Sequence, residues 1–235
     1  MVENARPRIA ILGRIAESTS VTRHGGLVTA LRLAEAVWAA GGEPVTFLPV
    51  PESDWDSRLQ GINGILLPGG GDLNPHRYGE EPTTAEIYGV VDLQDETDLS
   101  LFNWAVQKQL PLLAICRGHQ VVNVAMNGNL VQDMASPHRH LVHPVRVQNP
   151  ELLGLETTES DGAALVTASC YHHQAVKDLA AGLTPIATSE DGVVEATAIS
   201  EQVWQRTVQW HPEDNFDSQP QNLRIFEAFV EACRV

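Results

Sequence analysis

Short apolar runs separated by longer amphipathic stretches constrain this chain more than any other feature of its sequence. The first is Ile9-Ala10-Ile11-Leu12, which reads as a buried strand. Residues 27–40 carry Leu27, Leu31, Ala34, Val37 and Trp38 at helical spacing, and Gly41-Gly42 follows as a left-handed cap. Residues 45–48 supply a second strand. Gly64-Ile65-Leu66-Leu67 supplies a third, and it runs into Pro68-Gly69-Gly70-Gly71-Asp72, where successive glycines let backbone approach a ligand closely. Residues 95–109 read as a helix, 111–115 as a strand and 118–126 as a helix, with a very sharp turn at Cys116. From about 129 to 208 short β-like pieces dominate (145–147, 165–167, 193–199 and 207–208), and 221–233 closes the chain as an amphipathic helix. Strands that alternate with helical crossovers specify an α/β fold around a mostly parallel sheet.

The length of 235 residues suits one such domain, 1–235, and no repeat, low-complexity tract or linker divides it. Fifteen basic against thirty acidic residues give a net charge of −15. That field repels polyanions, and Arg6 with Arg8 is too small a patch to bind nucleic acid. The acidity favours cationic substrates such as amines, or serves solubility alone. Three widely spaced cysteines, Cys116, Cys170 and Cys233, suit free thiols in a reducing compartment. The polar start of the chain lacks the pattern of a secretory signal, and no run approaches the ~20 apolar residues of a membrane span, so a cytoplasmic protein is expected.

The chemistry begins at Leu112-Leu113-Ala114-Ile115-Cys116-Arg117-Gly118-His119-Gln120, where a strand meets a helix with a nucleophile between them. Such an elbow pushes the side chain above the sheet edge, and the helix N-terminus stabilises a thiolate. The plainer reading is a buried structural cysteine. Val208-Gln209-Trp210-His211-Pro212-Glu213 then places an imidazole and a carboxylate two residues apart, which on an extended strand share one side. Glu213 can orient His211, and His211 can take the thiol proton and return it to a leaving amine. An oxyanion needs backbone amides, for which the glycine run 69–71 and Arg117 are candidates. As a phosphate loop the same run lacks the Lys-Ser/Thr pair and carries Asp72, which repels phosphate.

These pieces, in the order glycine loop, Cys-x-Gly-x-Gln and His-Pro-Glu, resemble a class I glutamine amidotransferase domain. More narrowly they are similar to the γ-glutamyl-γ-aminobutyrate hydrolase family. That narrower likeness rests on Leu67 to Pro75 with Tyr78-Gly79-Glu80-Glu81, on Ile115 to Gln120 with Asn123-Val124, on Tyr171-His172-His173-Gln174-Ala175-Val176-Lys177, on Asp191 to Glu195, and on Gln209 to Glu213. The resemblance implies a flavodoxin-like, doubly wound sheet with helices on both faces. It implies a triad of Cys116, His211 and Glu213, with Gly70 and Arg117 donating to the oxyanion. It also implies that Gln120 holds the γ-glutamyl group, in a pocket to which Gly71, Tyr171, His172 and His173 contribute. The implied substrate is a small γ-glutamyl amine, cleaved to glutamate and free amine as in putrescine breakdown. No cofactor, metal, nucleic acid or membrane is implied, and a homodimer is compatible. Arg117 separates the chain from synthase-feeding domains, which usually have leucine there. The chain departs from the pattern at four places: Ala114 for glycine, Asn127-Gly128-Asn129 for Gly-Gly-Thr, Ser169-Cys170 for Asn-Ser, and Gln94 for arginine. Those near Cys170 bear on which amine is released. Two rivals stand beside this reading: a glutaminase subunit that passes ammonia to a separate synthase, and a catalytically silent binding protein on the same scaffold.

Other residues carry duller readings. His172-His173 either contact substrate or tie the loop to the sheet. His138, His140 and His143 read as a solvated loop or pocket rim rather than a metal site, since no cysteine or carboxylate pair lies beside them in sequence. Cys170 reads as packing, and Trp38, Trp104 and Trp204 as core or interface aromatics.

Overall fold

In the computed structural model, which describes residues 5–50, 54–200 and 202–234, the apolar runs become the strands of one sheet. Its nine strands are β1 (Arg8–Leu12), β2 (Glu43–Phe47), β3 (Gly64–Leu67), β4 (Leu112–Ile115), β5 (His138–Val147), β6 (Ala164–His172), β7 (Thr184–Thr188), β8 (Val194–Ser200) and β9 (Gln205–Val208). They lie in the order β2-β1-β3-β4-β9-β8-β7-β5-β6. The first five pair in parallel. The remaining pairs, from β9 outward, are antiparallel. The sheet is therefore the expected α/β sheet with an antiparallel wing, and β9 is the seam between its halves.

Strand alternation sorts the core into two layers, because successive side chains point to opposite faces. Ile9 and Ile11 face the cluster that includes Leu33, Ala36 and Val37 of α1 (Leu31–Ala39). Ala10 and Leu12 face the cluster that includes Leu101, Phe102 and Ala105 of α2 (Asp92–Gln107) and Val121, Val122 and Val124 of α3 (Arg117–Ala125). The final helix, α4 (Pro220–Ala232), joins α1 through Ile225, Phe226 and Phe229. Helices thus cover both faces. Buried Trp210 extends this contact: its indole N–H donates to Asn222 Oδ1 of α4 at 3.1 Å.

Three expectations are corrected here. The first helix begins at Leu31, not at residue 27. Gly26–Val28 instead forms a short strand antiparallel to Arg14–Ala16, and β-branched Val28 and Thr29 favour that extended form. The Gly41-Gly42 cap holds, with Gly41 at φ 92° and its N–H donating to the Trp38 carbonyl. Trp38 is not a core residue: it is 52% exposed, and the Arg6 guanidinium lies 3.6 Å over its ring. Trp104 and Trp204 are half-buried and do pack against the core. The three histidines are not on a loop. They ride β5, with His138 buried, His143 half-buried and only His140 exposed. Among the described residues no helix is long and apolar enough to cross a membrane.

Candidate active site

The carboxyl ends of β3, β4 and β9 lie side by side, the place where parallel sheets present ligands, and each delivers one of the residues singled out from sequence. Cys116 caps β4 in a strained conformation, φ 51° and ψ −106°, and its N–H donates to the Val208 carbonyl at 2.8 Å. Helix α3 starts at the next residue, so its N-terminus faces the thiol. The turn is possible because Gly118 has no Cβ: one built there would meet the Leu67 carbonyl oxygen at 2.3 Å. Cys116 as a whole is 6% exposed.

His211 arrives from the far side. Its N–H donates to the Ser169 carbonyl at 2.7 Å, which fixes the segment after β9 against β6. Nδ1 lies 2.8 Å from Glu213 Oε1, and because a carboxylate accepts, Nδ1 carries the proton. Cys116 also acts on the ring, and with Nδ1 committed to Glu213 it is Nε2 that remains for the thiol. Burial works against the charged imidazole, but Cys116 and Glu213 outweigh it and raise its pKa well above the usual 6.5. The His–Glu pair is not made on an extended strand, as the sequence suggested. β9 ends at Val208, and Glu213 reaches the ring from a 3₁₀ turn, Pro212–Asp214, opened by Pro212.

The glycine loop approaches from β3. Gly69 packs so closely on the imidazole that a Cβ there would lie 2.8 Å from His211 Cε1. A buried ionic network, invisible in the sequence motifs, holds this loop. Arg14 Nε donates to the Gly69 carbonyl at 2.7 Å, its Nη2 donates to the Pro68 carbonyl, and its Nη1 pairs with Asp98 at 2.8 Å. The Arg117 side chain pairs with the same Asp98 and with Asp95. Burial lowers Arg14 to about 10 despite Asp98, and burial raises Asp95 above its ordinary value despite Arg117. Gln94, standing where the resembled pattern has arginine, donates a neutral amide to Asp98 at 3.1 Å.

Gly70, Cys116, Arg117, Gln120, Tyr171, His172 and His173 line one narrow cavity. Gly71 lies just outside it, in a neighbouring cavity with Gly70 and Arg117. Gln120 is spent internally: Nε2 donates to the Gln174 carbonyl at 3.2 Å and to Gln209 Oε1 at 3.1 Å. His172 is buried, its Nδ1 lies 2.9 Å from the Gln174 carbonyl, and burial lowers its pKa to about 3. His173 bridges Asp72 at 2.9 Å and Asp133 at 3.1 Å, so both histidines also tie the loop to its surroundings. A wider cleft, with about 1070 Å³ of open space, is lined by His211 together with Val28, Leu31, Arg32, Tyr171 and Asp214. Tyr171 borders both spaces.

The sheet and the Cys–His–Glu arrangement define a class I glutamine amidotransferase-like hydrolase. Solved structures share the fold: PurLQS from Thermotoga maritima has a TM-score of 0.64 at 13% identity over 97% of this chain and 99% of that one. A glutamine amidotransferase from Methylobacillus flagellatus has a TM-score of 0.54 at 16% identity, over 88% of this chain and 70% of its own. The chain belongs to the Peptidase C26 family, whose profile matches residues 7–213. It is 30% identical to γ-glutamyl-γ-aminobutyrate hydrolase PuuD of Escherichia coli K12 over 216 residues, 85% of this chain and 84% of that protein. It is 32% identical to a Schizosaccharomyces pombe protein provisionally named a glutamine amidotransferase over 211 residues, 85% of this chain and 80% of that protein.

Proposed function

We propose that the protein cleaves the γ-glutamyl amide bond of a γ-glutamyl amine. The Cys116 sulfur attacks the amide carbon while its oxygen turns toward the Gly70 and Arg117 amides. His211, oriented by Glu213, holds the thiol proton and gives it to the departing amine. The γ-glutamyl thioester left on Cys116 is opened by a water whose proton His211 accepts, and glutamate leaves.

The observation that carries this reading over ammonia production is the wide cleft beside His211. Ammonia needs no such space, whereas an amine with an aliphatic chain would lie against Val28 and Leu31 with its free end toward Asp214 if cationic, as in putrescine, or toward Arg32 if anionic, as in aminobutyrate. The name of the Escherichia coli relative supports the same substrate class. Glutamate release from γ-glutamyl derivatives of aminobutyrate, putrescine, spermidine and ethanolamine, measured beside free glutamine and without any partner, tests it. Turnover should favour at least one amine derivative over glutamine. A preference for glutamine moves the chain to the glutaminases, and failure on all five leaves only a binding role.

The raised pKa of His211 sets a pH dependence. The imidazolium that protonates the amine persists through neutral pH, so kcat/KM should fall on the basic side as His211 loses its proton. The same shift stabilises the fold below about pH 6.5, and that contribution fades as pH rises through the raised value. Glu213→Gln removes one of the raising contacts. It should move the basic limb to lower pH and lower kcat by about 10²–10⁴-fold; a pH–rate profile that keeps the wild-type limb contradicts the orienting role.

A further inference from the structure

Behind the cavity wall, outside the Cys–His–Glu arrangement, four buried side chains from three strands meet: His138 of β5, Cys170 and His172 of β6, and Glu195 of β8. One ligand-type atom from each lies within 4.8 Å of the others. Hydrogen bonding does not account for this meeting. His138 Nδ1, His172 Nε2 and both Glu195 oxygens are buried without a hydrogen-bond partner, although burying such groups unpaired is costly.

The tautomers sharpen the problem. The Gln174 carbonyl can only accept, so His172 carries its proton on Nδ1. With that proton on Nδ1, the neutral ring presents an Nε2 lone pair 3.9 Å from the Glu195 carboxylate. Two acceptors therefore face each other in a dry interior, an arrangement that a cation between them resolves. On the other side, His138 Nδ1 lies 3.3 Å from the same carboxylate oxygen, while its Nε2 bonds Asp191 Oδ2 at 3.0 Å. Both histidines thus have their outer nitrogen engaged by an oxygen acceptor and their inner nitrogen aimed at the cluster, as metal-binding histidines do. His143 Nε2 sits 3.3 Å from Cys170 Sγ, placed to donate to a thiolate.

We propose that His138, Cys170, His172 and Glu195 form a structural site for a divalent cation of the zinc type. Two imidazoles, one thiolate and one carboxylate make a borderline-soft, four-coordinate donor set. Bonds of about 2.0–2.3 Å require donors roughly 3.3–3.8 Å apart, so the cluster contracts by about 1 Å on binding. Binding releases the Cys170 thiol proton and one proton from the His138–Glu195 ion pair, both to solvent. A dication, a thiolate, a carboxylate and two neutral rings then sum to zero charge.

The site sits where the sheet is thin. β7 pairs with β5 through only two residue pairs, Ala187 with Val147 and Thr188 with Arg146, so a cation would staple β8 to the β5–β6 hairpin. Through His172 it would also steady the Gln174 carbonyl, which takes the Gln120 amide.

Zinc or cobalt alone is the probe. Cys116→Ser protein serves as the background, so that the catalytic thiol contributes nothing. After zinc addition and desalting, elemental analysis should find about one zinc per chain. Cobalt should give a thiolate charge-transfer band that Cys170→Ser, added to the background, removes. Asp191 is 45% exposed, so Asp191→Asn spares the fold and should weaken zinc binding about 10–100-fold. Less than about a tenth of an equivalent of zinc, or a cobalt band that survives Cys170→Ser, overturns the proposal.

Discussion

Cys116→Ala protein should release no measurable glutamate from any γ-glutamyl amide, a loss of at least about 10⁴-fold, while folding normally. The loss is large because no other group can form the thioester. Cys170 and Cys233 are buried, and burial pushes their thiols up, Cys233 to about 12. The fold survives because Cys116 holds its place through its backbone: the N–H to Val208 and the fit of Gly118 under Leu67 do not involve sulfur. Circular dichroism and a glutamate-release progress curve on one preparation check both halves. An alanine variant with more than about a tenth of wild-type turnover would remove Cys116 from the chemistry.

The second large effect is on stability. Asp98 is fully buried and accepts from Arg14, Arg117 and Gln94. Asp98→Ala leaves Arg14 without a carboxylate in the interior and Arg117 with Asp95 alone. Breaking a buried ion pair by removing one partner costs about 3–5 kcal/mol, and for a chain of this size that corresponds to a Tm lower by roughly 6–20 °C. Activity should fall further than the folded fraction does, because Arg14 then no longer holds the Pro68 and Gly69 carbonyls against a fixed anchor. Asp98→Asn, which keeps the shape, should lose less on both counts. Equal Tm values for wild type and the alanine variant would show that the network carries little energy.

What the sequence made legible was what local chemistry dictates. The apolar strands, the elbow at Cys116 and the glycine loop each follow from residues within a few positions of one another, and the structure brings the elbow and the loop together beside His211. The His211–Glu213 contact was also legible, but through the wrong geometry, because Pro212 starts a 3₁₀ turn where two-residue spacing alone suggests a strand. Contacts made at long range were not legible. Arg14 precedes Asp98 by 84 residues, and nothing near either announces the other. The β5 histidines read as a loop because polar residues and Pro144 interrupt the apolar pattern; their partners Cys170, Asp191 and Glu195 arrive only through the antiparallel pairing and the fold of β8.

The seam at β9 has a further consequence. On its parallel side stand the elbow and the glycine loop, while the segment Tyr171–Gln174 that walls the cavity hangs from the antiparallel wing. The nucleophile and one wall of its cavity thus stand on different halves of one sheet. Substitutions in that segment can therefore reshape the cavity while the backbone turn that presents Cys116, built wholly on the parallel side, stays as it is.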